Sequence, residues 1–189
     1  MTLNNDLEDG ARALALQEES PDDGLILIGL GANLPSAFGE PCDTLRAALR
    51  RLREEGVGVV RRSQFWRSRP VPVSDQPWFV NAVAAVESDL DPAALLALLH
   101  RLEAEFGRVR TVVNAPRLLD LDLLAHGRRI DPAGPPILPH PRLAQRGFVL
   151  HPLADIAPDW RHPLSGDGLA AMIARLPAEQ YAEPLSAAD

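Results

Sequence analysis

The sequence predicts an α+β fold of the ferredoxin-like kind, with the element order βαββαβ followed by a C-terminal extension. Three observations favour it. Four apolar stretches between residues 25 and 124 have the length of strands, and two segments between them repeat apolar residues at helical spacing. These helices follow the first and third strands, an order typical of a four-stranded antiparallel sheet with both helices on one face. The other face would be covered by loops and the C-terminal part.

The first half of the domain begins with a buried strand at residues 25–30, an apolar run bounded by glycines. A helix is predicted over about residues 43–55, with Asp43 as its N-cap and leucines and alanines on its inner face. Residues 57–68 form the predicted second strand. Three prolines exclude regular structure from residues 69–77 and give that loop an extended path.

The second half begins with a predicted strand at residues 78–88, in which Asn81 lies among apolar neighbours. A buried amide must find hydrogen-bond partners. It either ties down the preceding loop or contacts a ligand, and the pattern favours neither. The next helix begins after Asp91, a predicted N-cap followed by proline, and ends at Gly107. Residues 118–124 form the predicted fourth strand.

The two ends of the chain are predicted to lie outside this domain. Residues 1–24 are an acidic stretch without a core pattern, and we expect them to be disordered and dispensable for catalysis. The domain itself spans residues 25–176. It closes with a short helix whose apolar positions are Leu169, Met172, Ile173 and Leu176. Residues 177–189 are predicted to be a C-terminal tail.

Composition and charge limit the classes of function. Residues 1–24 hold seven acidic side chains and one arginine, and residues 162–189 hold four and one, so the net charge of −7 resides in the ends. The central part suits an anionic ligand, but it has no basic patch that would indicate nucleic acid as the main partner. Cys42 is the only cysteine, which excludes an internal disulfide and fits the cytoplasm. We expect no signal peptide, no membrane span and a monomer.

The fourth strand carries two carboxylates in an otherwise leucine-rich run. Side chains alternate along a strand, so Asp120 and Asp122 point to one side and the intervening leucines to the other. Two neighbouring carboxylates repel each other unless a positive group lies between them, and Mg²⁺ is commonly held by two carboxylates and phosphate oxygens. A solvent-facing strand with two aspartates by chance is the alternative. Arg117 favours the metal site, because arginine binds phosphate well. His140, fixed between two prolines, is poorly explained by packing.

Taken together, these segments resemble the 6-hydroxymethyl-7,8-dihydropterin pyrophosphokinase family of folate biosynthesis, over about residues 26–158. Each motif is weak alone, but their succession is highly specific. The motifs are Gly31-Ala32-Asn33-Leu34, Asp75-Gln76-Pro77 with Asn81, Glu103 with Gly107-Arg108-Val109-Arg110, Pro116-Arg117 with Leu119-Asp120-Leu121-Asp122, Pro139-His140-Pro141-Arg142, and Arg146-Gly147-Phe148-Val149-Leu150-His151-Pro152-Leu153.

The resemblance implies a ferredoxin-like fold and an ATP-dependent, Mg²⁺-dependent pyrophosphoryl transfer to the pterin hydroxymethyl group, which releases AMP. It implies that Asp120 and Asp122 hold two Mg²⁺ ions, and that Asp122, Arg108 and Arg117 are catalytic, with Asp122 a candidate proton acceptor. The implied pterin-binding residues are Ser68, Val71, Phe79, Asn81 and Phe148, the two phenylalanines sandwiching the ring, with Asp120 beside them. The implied ATP-binding residues are His100, Glu103, Arg108, Arg110, Arg117, His140 and Arg146.

The chain departs from the family pattern immediately before Pro116-Arg117. Asn114-Ala115 stand where the family often has Trp-Gly, and the loop at residues 110–117 is about one residue shorter. His100 replaces a glutamine found in some members. We expect this loop to close over the bound nucleotide.

Two other classes of function share the element order or the aspartate pair. A ferredoxin-like ligand- or RNA-binding module would have the same order, although RNA binding calls for exposed aromatic residues where the fourth strand has Leu and Asp. A metal-dependent hydrolase could use Asp120 and Asp122. AMP formation separates the three, because a binding module forms none and a hydrolase does not need the pterin.

Overall fold

A six-stranded sheet forms the centre of the chain, which a computed structural model describes for residues 20–107 and 117–186. The strands run in the order β5-β1-β4-β3-β6, β2 also pairs with β4, and all pairs are antiparallel. The α+β class and the antiparallel sheet are confirmed, but the number of strands is six and not four. The strands are β1 (Ile26–Ala32), β2 (Gly58–Arg62), β3 (Trp66–Ser68), β4 (Phe79–Glu87), β5 (Asp120–His126) and β6 (Ala182–Pro184).

One extra strand arises because the predicted strand at residues 57–68 divides into β2 and β3. Ser63 lies between them and makes two hydrogen bonds to the same residue of β4. Its N–H donates to the Val83 carbonyl (2.9 Å), and its hydroxyl accepts from the Val83 N–H (3.0 Å). The hydroxyl therefore replaces a backbone acceptor and interrupts the ladder, a local use of serine that alternation alone does not reveal.

The other extra strand lies in the predicted C-terminal tail. β6 pairs with β3, so that Ala182 stands opposite Ser68 and Pro184 opposite Trp66. The tail boundary at residue 177 is therefore wrong for these residues. The segment is short and contains a proline, which suits an edge strand but leaves little pattern in the sequence.

In the part of the chain that the structure describes, four helices cover the two faces of the sheet: α1 (Pro41–Glu54), α2 (Pro92–Glu105), α3 (Gly147–Ile156) and α4 (Leu169–Ala174). The Asp91 carboxylate caps α2 by accepting from the Ala94 N–H (2.8 Å), as predicted. The predicted cap of α1 is wrong. This helix begins two residues before Asp43, after Glu40, because Pro41 occupies the first helical position.

Helix α3 was not predicted, because Pro152 lies inside it and the surrounding residues are rich in proline. It packs against the sheet face opposite α1 and α2, and with α4 it buries Leu150, Leu153 and Trp160. The other core, under α1 and α2, contains alternate residues of the strands, among them Leu121 and Leu123 of β5. The C-terminal part therefore covers the second face, as the sequence predicts, but with helices.

The described chain begins with a 3-10 turn, Pro21–Gly24, inside the predicted acidic tail. Its two carboxylates are buried. Asp22 pairs with Arg61 (2.6 Å), while Asp23 pairs with Arg128 (2.8 Å) and accepts from a backbone N–H of the C-terminal part. The ordered domain therefore includes residues 20–24, which the prediction had assigned to the tail. Residues 1–19 lie outside the described part.

Among residues 20–107 and 117–186, no helix combines the length and the apolar character that crossing a membrane requires.

Candidate active site

A cavity of about 260 Å³ opens on the sheet face that carries α3. Strands β1, β4 and β5 contribute its floor, the loop at residues 69–78 one side, and the start of α3 another. Seven of the predicted site residues line it together: Ser68, Val71, Phe79, Asn81, Asp120, Asp122 and Phe148. Arg117 and Arg146, predicted to bind ATP, line it as well.

The two aspartates lie side by side on the cavity floor. Asp120 stands opposite Gly31 of β1, and Asp122 stands opposite Gly29. The alternation predicted for this strand is confirmed, because the leucine between the aspartates is buried under α1 and α2. The glycines keep the floor open: a side chain at Gly31 would bring its Cβ within 3.3 Å of the Asn81 Oδ1 atom.

Each aspartate has an arginine partner at the cavity wall. Arg117 pairs with Asp120, and Arg146 donates to Asp122 at 3.1 Å. The Arg146 guanidinium also lies 5.3 Å from the centre of the Phe148 ring, within cation–π range. Burial lowers the pKa of Arg146, with Asp122 opposing the shift. The side chain remains charged at neutral pH, so each aspartate of the floor has a positively charged partner at the wall.

The other half is neutral and is fixed by a buried hydrogen bond. The Asn81 amide donates from Nδ2 to the Ser68 hydroxyl (3.0 Å), and both side chains are almost fully buried. The bond assigns Nδ2 to the Ser68 side, so that the acceptor Oδ1 occupies the other end of the amide. The half-buried rings of Phe79 and Phe148 line the same space, with Val71 at its exposed edge.

Asn33 joins the loops that frame the cavity. Its Oδ1 accepts from the Arg117 N–H (2.7 Å), and its Nδ2 donates to the Pro77 carbonyl (3.2 Å). The Asn33 N–H also donates to the Arg117 carbonyl (3.0 Å). One buried asparagine therefore fixes the end of β1, the loop before β4 and the arginine beside Asp120.

Glu103 lies beneath the site and does not line the cavity. Its side chain is 1% exposed, and its Oε1 accepts from the N–H of Leu121, the residue between the two aspartates (2.8 Å). The carboxylate thus holds the backbone between the two aspartates from α2. His100 lies three residues earlier on the exposed surface of α2.

His140 lies beside the carboxylate half but is not one of the residues lining the cavity. Its N–H donates to the Leu124 carbonyl of β5 (2.8 Å), and its Nδ1 accepts from the Arg142 N–H (3.1 Å). Burial lowers the pKa of His140, while the charge of Asp122 acts in the opposite direction. Arg108, Arg110 and Asn114-Ala115 lie outside the described residues.

Several cavity residues were missed by the sequence reading. Arg69, Gln145 and Gln180 line the cavity beside the predicted residues, and so does Arg142, which was noted only as part of a motif. Arg69 neighbours the predicted Ser68 in sequence, and its proximity could have indicated it. Gln180 lies in the predicted tail, and only the pairing of β6 brings it to the site.

The donor set suits a magnesium ion that shares its coordination with a substrate. Within residues 20–107 and 117–186, no three His, Cys, Asp or Glu side chains group closely enough to enclose a metal without help. Two carboxylates on one strand face, beside arginines that bind phosphate, are the arrangement in which Mg²⁺ keeps water and phosphate oxygens as further ligands. The residues present therefore fit this ion.

Comparison with known families gives a match over the part of the chain that contains most of the cavity residues. The family model described as 7,8-dihydro-6-hydroxymethylpterin-pyrophosphokinase (HPPK) matches residues 27–158. The chain belongs to this family. The match contains both aspartates, Asn81 and Phe148, and it ends before α4 and β6.

Individual relatives agree with the family. A 2-amino-4-hydroxy-6-hydroxymethyldihydropteridine pyrophosphokinase of Pseudomonas aeruginosa is 41% identical over 157 residues, which are 82% of this chain and 93% of that protein. A Synechocystis protein of the same name is 38% identical over 78% of this chain and 73% of its own length. The chain also matches the folic acid synthesis protein fol1 of Pneumocystis carinii at 37% identity, but it spans only 21% of that longer protein.

Solved HPPK structures share the fold. The Plasmodium falciparum HPPK-DHPS crystal structure with STZ-DHP superimposes with a TM-score of 0.63 over 80% of this chain and 43% of that one, at 12% identity. The wild-type structure with pteroate gives a TM-score of 0.61. At this identity the likeness concerns the fold alone.

Proposed function

We propose that this chain transfers a pyrophosphoryl group from ATP to the hydroxymethyl oxygen of 6-hydroxymethyl-7,8-dihydropterin, a reaction of folate biosynthesis that releases AMP. One observation carries the proposal. A single cavity places a carboxylate pair with two arginines next to a buried amide and two phenylalanine rings. The first group suits a metal-bound triphosphate, and the second suits a flat heteroaromatic ring.

The neutral half binds the pterin. Phe79 and Phe148 hold the ring between them, and Val71 covers its edge. Because Ser68 accepts the Asn81 Nδ2 hydrogen bond, the Asn81 Oδ1 atom accepts from N–H groups of the ring. The ring is thus orientated before the second substrate reacts, which reduces the entropy lost on reaching the transition state.

The charged half binds ATP. Asp120 and Asp122 would hold two Mg²⁺ ions, whose chemistry when bound is to neutralise the triphosphate and to polarise the attacking hydroxyl. Arg117 and Arg146, now paired with the aspartates, then turn to phosphate oxygens. The resemblance adds Arg108, Arg110, His100 and His140 to the ATP-binding residues. Glu103 acts from beneath, by holding the Leu121 backbone between the aspartates.

The reaction proceeds by attack on the β-phosphorus. The pterin hydroxymethyl oxygen forms a bond to this phosphorus, and the bond to the oxygen bridging the α- and β-phosphates breaks. AMP leaves with that oxygen and its electron pair. The hydroxyl proton passes to the Asp122 carboxylate, and the phenylalanines keep water from competing with the hydroxymethyl group.

The fold is in our interpretation an elaborated ferredoxin-like arrangement. Its support is the order β5-β1-β4-β3, in which the first and third sequence-predicted strands are central and the divided second strand lies at an edge. β6 then extends that edge.

A coupled assay for AMP tests the function. With ATP and Mg²⁺, we expect AMP to form only when 6-hydroxymethyl-7,8-dihydropterin is present, and to cease when a chelator removes the metal. AMP formation at the same rate without the pterin would instead indicate a hydrolase, and none with it would reject the proposal.

A further inference from the structure

The C-terminal segment at residues 177–186, which lies beyond the family match, closes one side of the cavity. Gln180 is the residue through which it lines the cavity. The segment begins with a turn in which the Gln180 N–H donates to the Pro177 carbonyl (2.9 Å), and near its end the Leu185 N–H donates to the Phe65 carbonyl (2.8 Å). Between them β6 pairs with β3, where Ala182 faces Ser68.

Side chains reinforce this attachment at the cavity mouth. Glu183 pairs with Arg67 of β3 (2.5 Å). The Tyr181 ring meets the Trp78 ring edge-on at 6.4 Å, and the Arg69 guanidinium lies 5.2 Å from the centre of the Trp78 ring. The segment therefore contacts both β3 and the loop at residues 69–78, and Gln180 has little freedom to leave the cavity.

The Gln180 side chain has a fixed orientation. Its Oε1 accepts from the Gly147 N–H at the start of α3 (3.2 Å), which determines that Nε2 occupies the other end of the amide. Among the described residues, no hydrogen bond from Nε2 to another protein group is found. The half-buried amide therefore presents a donor to the cavity.

The backbone of Gln180 lies very close to the backbone of Gly147. A Cβ atom at position 147 would lie 2.0 Å from the Gln180 carbonyl oxygen, a distance that no side chain tolerates. Only glycine lets the C-terminal segment lie directly against the start of α3, next to Phe148. Gly147 and Gln180 thus form one contact, although 33 residues separate them in the sequence.

We propose that Gln180 is a further pterin-binding residue, whose Nε2 donates a hydrogen bond to an acceptor on the ring, either its carbonyl oxygen or a ring nitrogen. This inference rests on the proposed function. The pterin ring carries both donors and acceptors along its edges. Asn81 offers an acceptor and Gln180 a donor, so the two amides together select a ring with this alternation and orientate it.

Two substitutions separate the donor from the structural contact. Gln180→Glu keeps an oxygen for the Gly147 N–H but removes the donor, and Gln180→Met removes both while keeping the length of the side chain. Glu179→Gln, at the exposed neighbouring position, is the matched control. We expect both Gln180 variants to bind the pterin roughly threefold to tenfold more weakly in a fluorescence titration, the loss of one hydrogen bond. ATP affinity should remain close to that of the wild type in both variants, and so should the melting temperature of Gln180→Glu, which keeps an acceptor for the Gly147 N–H.

The outcomes distinguish this inference from the proposed function. If the wild-type chain forms AMP from the pterin and both variants bind the pterin normally, the Gln180 inference alone is overturned. It is also overturned if Gln180→Met weakens binding and Gln180→Glu does not, since Gln180 would then act only through Gly147. A wild-type chain that neither binds the pterin nor forms AMP rejects the proposed function itself.

Discussion

The chain contains two pairs of aspartates with arginine partners, and their surroundings give them opposite properties. In the 3-10 turn, the Asp22 and Asp23 side chains are 7% and 4% exposed, and their arginine partners reach in from the surface. On the cavity floor, the Asp120 and Asp122 side chains are 19% and 33% exposed. In the Asp122 pair the arginine is more buried than the aspartate, because the Arg146 side chain is only 15% exposed.

This difference separates a stabilising ion pair from a binding site. A buried carboxylate whose only neighbours are protein donors holds distant segments together and has no room for another ligand. A carboxylate that faces a cavity can exchange its arginine for a metal ion, and the arginine released can bind phosphate. We therefore expect the turn aspartates to affect stability and the floor aspartates to affect turnover.

The largest effect is expected for Asp122→Asn, which keeps the shape of the side chain and removes its charge. Turnover should fall about 10³-fold or more, because a central electrostatic group is lost from the transition state. Pterin affinity should change much less, and stability should change little, because relief of the repulsion from Asp120 offsets the lost ion pair with Arg146. Steady-state AMP formation, pterin fluorescence and a thermal melt measure these quantities.

The matched control for this substitution is Asp89→Asn, because Asp89 is exposed and lies outside the cavity. It should leave turnover and stability within error of the wild type. Near-normal turnover of a folded Asp122→Asn variant would falsify the metal-site interpretation and remove the distinction between the two aspartate pairs.

The next effect concerns the arginines. Arg146→Lys keeps a positive charge near Asp122 but loses the planar group that lies over Phe148, so kcat/KM for ATP should fall roughly tenfold to a hundredfold. Arg61→Lys makes the same chemical change beside Asp22 and should leave kcat/KM within about twofold. Equal losses in the two variants would show that the arginine positions do not differ as we propose.

The sequence revealed one aspartate pair and missed the other for a physical reason. Asp120 and Asp122 lie two apart in a strand of leucines, so their shared direction follows from local geometry. The turn aspartates depend on Arg61 and Arg128, which are 39 and 105 residues away from their partners. An acidic, proline-containing segment gives no sign of such contacts, and it was therefore assigned to a tail.

The same distinction applies to the cavity. Ser68, Phe79, Asn81 and Phe148 were named through motifs that the resemblance supplied, and the structure brings them together. Glu103 was named among the ATP-binding residues by its motif, and within the described residues it supports the cavity floor by accepting from the Leu121 N–H. Gln180 required the pairing of β6 with β3, a long-range contact that a three-residue edge strand does not encode in its pattern.

Two deletions test the position of the N-terminal boundary. Removal of residues 1–19 should change neither turnover nor stability appreciably, because their sequence lacks the spacing of a buried face. Removal of residues 1–24 should still permit turnover but lower the free energy of unfolding by roughly 1–3 kcal/mol, since it takes both turn aspartates away. Urea denaturation followed by Trp fluorescence compares them. A large loss of turnover per folded molecule after the longer deletion would contradict our assignment of these residues to stability.

The smallest effect is expected for Asp23→Asn, and it reverses the expectation for Asp122→Asn. The amide keeps an oxygen for the Arg161 N–H but loses the charge that faces Arg128, so the free energy of unfolding should fall by about 1 kcal/mol. Turnover per folded molecule should be unchanged, because Asp23 is not one of the residues that line the cavity. When the two variants are measured side by side, Asp23→Asn should lower stability without changing turnover. Asp122→Asn should lower turnover without lowering stability. If Asp23→Asn instead lowered kcat in a chain of normal stability, the turn would be coupled to the site, and burial would no longer distinguish the two pairs.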